Sequence, residues 1–318
     1  MKSLLPSRRV CFMRVRTPVV LIVFNRPGCT ERVLECLARF KPASLFVVGD
    51  GPRATRQDDG ELVKLVRKQF QRLPWPCDVQ LNLSEENLGC RRRVTSGLDW
   101  VFRQVDEAVI LEDDIVPGES FFPFCEELLD RYRGDHRIAS ISGTDFTGGR
   151  HRFPDSYAFS RYNLFWGWAT WRRAWALYDD SMSFMSEASD EAARVVVRRT
   201  FRRWRERVYW NAVLRRVARE EIDSWGYRWL FSCWRAGMLG VQPMTSVVEN
   251  IGTGDDATHT RHGTYGIGPA RKLVFPLRHP HAVIADGLLD QCIEDRIYSK
   301  SLSARLAWLW NRIKGRAS

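Results

Sequence analysis

Between Val19 and Leu111 the chain repeats one unit: a short apolar run, a break, and a longer segment whose apolar residues recur at helical spacing. The first run is Val19-Val20-Leu21-Ile22-Val23-Phe24, broken by Asn25-Arg26-Pro27-Gly28 before a helix with Val33, Leu37 and Phe40 on one face. Ser44 to Gly49 reads as a second strand, Asp50-Gly51-Pro52 ends it, and Leu62, Val66 and Phe70 mark the next helix. A third strand spans about Asp78 to Asn82. After the turn Asn87-Leu88-Gly89, a helix carries Val94, Leu98, Val101, Phe102 and Val105. The fourth strand is Ala108-Val109-Ile110-Leu111. Runs apolar throughout belong to strands covered on both faces, and parallel neighbours need a crossover of helical length. Four such strands alternating with three helices predict an α/β fold, a Rossmann-like, mostly parallel sheet flanked by helices.

The fourth run ends in Glu112-Asp113-Asp114, so three carboxylates gather where a buried strand emerges. In open α/β sheets that is the end where ligands sit. From Gln104 through Asp130 there are nine acidic residues and no Lys, Arg or His, in a chain of formal charge +11. Two carboxylates about 4 Å apart at an effective dielectric near 20 repel by roughly 4 kcal/mol, so a run of them needs water, protonation or a cation. A divalent cation with oxygen ligands meets that need, and the triplet reads as a site for Mn²⁺ or Mg²⁺. A solvated acidic turn is the plainer alternative, and the position at the strand end argues against it.

At 318 residues, the chain forms one large or two closely packed domains. Its 44% hydrophobic and 27% charged residues exclude a disordered protein. The eight cysteines include no C-x-x-C pair and none has a His at zinc spacing, so they read as reduced. Neither a secretion signal nor a membrane span is expected; the expected location is cytoplasmic, with peripheral contact at the inner face of the membrane open. The excess of 49 Lys and Arg over 38 Asp and Glu implies an anionic partner without saying which.

After a helix with Leu128, Leu129 and Tyr132 and a strand from Ile138 to Ser142, the composition turns to Trp and Arg. Phe165-Trp166-Gly167-Trp168-Ala169-Thr170-Trp171 reads as an aromatic loop leading into a helix, its rings available to stack on sugars or to pack in a core. Arg194 to Arg219, with ten arginines and one Glu, reads as one basic amphipathic helix with Val197, Phe201, Trp204 and Val208 on its apolar stripe. Tyr298 to Arg316 repeats the theme with Leu302, Leu306, Leu309, Trp310 and Ile313. Such stripes face a core, or they contact phosphate or an anionic membrane.

Taken in order, Phe24-Asn25-Arg26-Pro27, Gly49-Asp50-Gly51, Asn87-Leu88-Gly89-Cys90, Leu111-Glu112-Asp113-Asp114, Phe165-Trp166-Gly167-Trp168, Ile222-Asp223-Ser224-Trp225 and Asn250-Ile251-Gly252 with Asp256-Ala257-Thr258-His259 look like a bacterial glycosyltransferase of the GT-A type. The resemblance spans roughly residues 17 to 262. More distantly, the chain resembles the eukaryotic α-mannoside N-acetylglucosaminyltransferases, whose sheet binds a UDP-sugar with manganese. The resemblance implies that Asp114 binds the metal, that Glu112 and Asp113 lie near the ribose and donor sugar, and that Arg26 and Asp50 contact the nucleotide. It further implies an inverting transfer with Asp223 as general base. An Asp before a helix start is also a common cap, which is the plainer reading of Asp223. His259 is a further candidate metal ligand in a late polar loop. Arg91, Arg92 and Arg93 open a helix where acids are normally preferred and so point to an anion nearby, with Arg92 the expected nucleotide-sugar contact.

The resemblance implies a domain plan of an extension over 1–16, a nucleotide-sugar-binding half over 17–145, an acceptor-side half over 146–262 and a basic tail over 263–318. The expected partners are a nucleotide-sugar donor and a saccharide or lipid-linked glycan acceptor, with contact to an anionic membrane open. A metal-dependent nucleotidyltransferase is the nearest competing enzyme, yet no glycine-rich phosphate loop follows the first strand. A nucleic-acid-binding protein would suit the charge, but no recognised signature accompanies it, and no nucleic acid is expected as a partner.

Overall fold

The structure, a computed structural model, describes residues 14–182, 190–252 and 268–298. Its first hundred residues follow the predicted alternation. Strand β1 (Val19–Val23) leads into helix α1 (Pro27–Phe40), β2 (Ser44–Gly49) into α2 (Asp59–Lys68), β3 (Asp78–Leu83) into α3 (Gly89–Phe102), and β4 (Glu107–Glu112) follows. Pro27 opens α1, where its missing N–H costs nothing, and Val33, Leu34, Leu37 and Phe40 form its buried face. Strands β1 to β4 pair in parallel in the order β3-β2-β1-β4.

The second half extends the same sheet. After the short β5 (Ile115–Pro117) and α4 (Phe121–Arg131) come β6 (Ile138–Ser142), β7 (Tyr157–Ser160), β8 (Trp168–Trp171) and the short α5 (Arg172–Trp175). Helices α6 (Asp190–Thr200), α7 (Trp204–Ala218) and α8 (Trp225–Ala236) precede β9 (Leu239–Pro243) and β10 (Val248–Asn250), and α9 (Gly287–Ile293) runs into a π-helical turn over Glu294–Tyr298. The eight-stranded order is β3-β2-β1-β4-β8-β6-β9-β7. Only β8 and β7 oppose the common direction, because β8 is antiparallel to both β4 and β6, and β7 is antiparallel to β9. The predicted α/β class, a Rossmann-like, mostly parallel sheet flanked by helices, is therefore what the chain forms.

Both faces of the sheet are covered. Leu21, Val47, Val109 and Trp171 pack on one side with α1 and α4, while Val20, Phe46, Ile110 and Trp168 pack on the other with α3 and α8. A separate aromatic core around Tyr162, Phe201, Trp210 and Trp234 joins α6, α7, α8 and α9. The sheet crosses the boundary expected at residue 145, and Val15, Leu273 and Leu277 pack into the first core, so the described parts of the expected extension and tail join the main body. Among the described residues no helix is long and apolar enough to cross a membrane.

Two expectations are corrected. The aromatic segment is not simply a loop, since Trp168–Trp171 is β8, wedged between β4 and β6. Trp168 and Trp171 are core residues; their large side chains fill opposite faces, and the Thr170 hydroxyl donates to the Ala139 carbonyl at 2.6 Å. The basic stretch is two helices, α6 and α7, separated near Phe201 to Arg203. Phe201 anchors the break in the aromatic core, and the buried Glu206 carboxylate accepts the Arg203 N–H to start α7. The new helical phase sends Val197 and Phe201 inward but leaves Trp204 and Val208 exposed. The second predicted amphipathic stretch, beyond Tyr298, lies outside the described residues.

Candidate active site

Strands β1, β2 and β4 are adjacent and parallel, with Val23 beside Gly49 and Ile22 beside Glu112. Their carboxyl ends therefore release three loops together, carrying Phe24 to Arg26, Asp50 to Arg53, and Asp113 with Asp114. A fourth piece arrives from late in the chain. Strand β10 pairs antiparallel with β5, setting Asn250 beside Ile115, and the Ile251 N–H donates to the Asp114 carbonyl at 2.9 Å. Arg26, Asp50, Arg53, Asp113, Asp114 and Asn250 line a cleft of about 650 Å³, which also takes in Asp223 and aromatic residues of the second half.

The carboxylates have a cation of their own. Arg26 donates from Nη1 to Asp114 Oδ2 at 2.8 Å and from Nη2 to Asp113 Oδ1. The Phe24 N–H donates to the other Asp113 oxygen at 3.3 Å. Burial works against the charge of Arg26, but Asp113 and Asp114 outweigh it and hold the guanidinium pKa above its ordinary value. Burial, with Asp114 adding to it, pushes Asp113 up to about 6 against the pull of Arg26. Burial and then Asp114 and Asp113 push Glu112 up to about 8.

Asp113 and Asp114 are only 2% and 8% exposed, yet Asp114 Oδ1 is buried without a hydrogen-bond partner. An orphaned carboxylate oxygen carries a desolvation cost that a cation would relieve. Among the described residues no cluster of three or more His, Cys, Asp or Glu forms a metal cage. The donor set thus fits a hard divalent ion that takes one or two protein carboxylates and completes its shell from substrate phosphates and water, the usual habit of Mg²⁺. Gly252 leaves room for the Arg26–Asp114 pair: a Cβ there would lie 2.0 Å from Asp114 Oδ2 and 2.9 Å from Arg26 Nη1, so a side chain would displace that contact.

Asp50 is used differently from a free acceptor. Its Oδ1 takes the N–H groups of Gly51 and Leu88, both at 2.9 Å, and its Oδ2 takes Gly89 N–H at 3.0 Å and Asn87 Nδ2 at 3.1 Å. All four lone-pair sites of the carboxylate are engaged. Asp50 thereby serves as the anion at the start of α3, where the helix dipole favours negative charge and no acid of the first turn supplies it.

The arginines that open α3 diverge. Arg91 and Arg93 line the cleft, whereas Arg92 is exposed and does not. Buried Arg93 donates to both oxygens of Asn82, at 2.6 and 2.5 Å, and its Nε has no partner. Arg91 forms ion pairs with Asp180 and Asp223, each at 3.3 Å, and with Glu220. Arg228, 1% exposed, donates to the same Glu220 at 2.8 Å and to the Asp180 carbonyl at 2.8 Å. Much of the anionic charge implied by these arginines is the protein's own.

Asp223 lines the cleft with its side chain 69% exposed, tethered by Arg91. The helix that follows is preceded by Ser224 as its first flanking residue, and Asp223 is not its N-cap. Beside it Trp225 packs against Phe165 in a tilted arrangement at a ring separation of 4.5 Å. Phe146, Phe165, Trp166, Tyr227 and Tyr298 give this part of the cleft its aromatic lining. The structure therefore brings together Arg26, Asp50, Glu112, Asp113, Asp114 and Asp223. His259 lies outside the described residues.

Arg53 was not singled out by sequence reasoning. It lines the cleft, pairs with buried Asp59 through Nε at 2.5 Å and Nη2 at 2.9 Å, and lies 5.1 Å from the Phe24 ring. The Arg53 hydrogen bonds hold Asp59 down at about 2. The only sequence signal was a basic residue shortly after a strand-ending Asp-Gly-Pro.

No family model matches the chain, and no curated protein matches it in sequence. Among solved structures, 67 chains match. One is a mannosyltransferase from Pyrobaculum calidifontis in complex with GDP-Man and Mn²⁺, with 13% identity and a TM-score of 0.35 over 69% of this chain and 74% of that one. Another is a 4-diphosphocytidyl-2C-methyl-D-erythritol synthase from Anaerococcus prevotii, with 10% identity and a TM-score of 0.33 over 63% of this chain and 97% of that one.

Proposed function

We propose that the protein is a metal-dependent glycosyltransferase that moves a sugar from a nucleotide diphosphate, a UDP-sugar by the family resemblance, to a hydroxyl of a saccharide or lipid-linked glycan. The observation that carries this reading is the unpartnered, buried Asp114 Oδ1 at the carboxyl end of β4, inside a cleft bordered by Arg26 and Glu112. Asp114 would hold a divalent cation, Mn²⁺ or Mg²⁺, which when bound would supply Lewis-acid neutralisation of the charge on a departing nucleotide diphosphate. Arg26 fixes the two aspartates and adds positive charge on the same side of the cleft. Glu112 and Asp113 face the ribose and donor sugar, and Asp50 holds the Asn87 to Gly89 loop against which the nucleotide lies.

Asp223 takes the proton of the acceptor hydroxyl as that oxygen attacks the anomeric carbon, and a single displacement inverts the configuration. Its exposed carboxylate and its tether to Arg91 suit a group that must meet an incoming acceptor. The aromatic residues next to it offer flat apolar faces to a sugar ring.

Incubating the purified chain with nucleotide-sugars and Mn²⁺ or Mg²⁺, and following release of nucleoside diphosphate, tests the proposal. Slow donor hydrolysis that chelator abolishes is expected. Failure to bind or cleave any nucleotide-sugar overturns the reading, and release of pyrophosphate from a nucleoside triphosphate in the presence of a sugar phosphate would place the protein among the nucleotidyltransferases.

A further inference from the structure

We infer that the outer ridge of α7 is a docking surface for an anionic phospholipid bilayer. Helix α7 buries Glu206, Tyr209, Trp210, Val213, Leu214 and Val217 on its inner side. On its outer side Trp204 and Val208, one turn apart, are 68% and 58% exposed. Single exposed apolar residues are ordinary, but a Trp and a Val on adjacent turns form a continuous apolar ridge. Arg202, Arg203 and Arg205 are exposed beside it, and the Arg205 guanidinium lies 5.8 Å from the Trp204 ring. The one acid of this segment, Glu206, is turned inward and buried. The ridge thus presents an indole, an aliphatic group and guanidiniums with no carboxylate of its own between Arg202 and Val208.

Each component matches one layer of a membrane surface. Indole rings settle at the headgroup level, an aliphatic side chain gains by entering the acyl boundary, and arginines reach phosphates while their stems lie along apolar surface. Anionic lipids add attraction for each Arg held near the surface. Single-stranded nucleic acid would use the arginines and stack on Trp204, but Val208 has no π face and would stay in water. The apolar pair therefore favours lipid. Docking there also has a consequence for the cleft. On the inner side of α7 the Trp210 ring lies 6.1 Å from Tyr227 and 4.7 Å from Tyr298, both of which line the cleft. One helix layer, about 10–12 Å thick, separates the ridge from the cleft wall.

Sedimentation of the full chain with phosphatidylcholine vesicles, with and without phosphatidylserine, tests the inference. Binding to the phosphatidylserine vesicles that weakens at high salt is expected. The double variant Trp204→Ser/Val208→Ser should weaken it by about tenfold or more, and Arg202→Gln/Arg205→Gln should remove the preference for phosphatidylserine. Both should melt where the unaltered chain does, because all four positions are exposed. Absence of vesicle binding overturns the inference, as does binding that neither variant changes. Loss of oligonucleotide binding in both variants with vesicle binding intact would assign the ridge to nucleic acid instead.

Discussion

The two halves of the central sheet present their functional groups on different kinds of support. In the half ordered β3-β2-β1-β4, three parallel strand ends and the β5–β10 ribbon fix the acidic cluster, with Asp113 and Asp114 buried and clamped by Arg26. In the half ordered β8-β6-β9-β7, antiparallel strands flank the parallel pair β6-β9, and the candidate base sits on an exposed connection before α8, steered by a salt bridge from α3. Charge that must stay put through a reaction benefits from a rigid, dry support. A residue that must receive a second substrate benefits from access. Under the proposed function, the contrast would give donor handling to the first half and acceptor handling to the second.

Substitutions can break that contrast. The largest effect is expected for Asp114→Asn, which keeps the shape but removes the charge; sugar transfer should fall by about 10³-fold or more, measured as turnover with Mn²⁺. If activity survives, the first half is not the seat of donor activation. In the second half the heaviest structural load falls on the aromatic core, where Trp210 is fully buried against Phe201, Trp234 and Tyr298. Trp210→Ala should cost about 3–5 kcal/mol in denaturant unfolding. A cost near zero would mean that this core does not hold the second half together.

Asp223→Asn should lower transfer by about 10²-fold while leaving donor binding unchanged, because a general base acts on the acceptor. Loss of donor affinity in this variant would erase the division between the halves. A smaller effect should appear in the pH dependence of stability. Glu294, in the second core, is pushed up to about 7 from an ordinary 4.5, chiefly by burial, with the Tyr162 and Trp210 hydrogen bonds opposing the rise. Its folded form holds a proton after the unfolded chain has lost it. The associated stability is present below about pH 4.5 and is lost as pH rises through about 7. Thermal melts across that window should show the decline, and Glu294→Gln should flatten it.

The same contrast governs what could be read from the amino-acid sequence. Strands β1, β2 and β4 are apolar runs buried on both faces, and α1 and α3 carry clean helical periodicity, so the first half and its strand-end carboxylates were legible. Strand β8 was not, because Trp-Ala-Thr-Trp owes its place to gaps on both faces of the sheet rather than to a local pattern. The break between α6 and α7 carries neither Pro nor Gly; the tertiary anchor at Phe201 sets it, and periodicity alone ran straight through. At the site, the type and position of Arg26 and the acidic triplet were readable, but the pairing of Arg26 with two of those acids was not. Nor could spacing reveal that Asp50 would spend every lone pair on its neighbouring loop.

A thermal-shift titration of nucleotide-sugars, with Mn²⁺ or Mg²⁺ added separately and together with each, probes the Asp114 site most directly, since a ligand that binds only the folded chain raises its melting temperature. One nucleotide-sugar should raise it strongly only when the metal is present; the metal alone should do little, and Asp114→Asn should remove the joint effect. A full response without metal, or an undiminished response in Asp114→Asn, would contradict a cation held through Asp114.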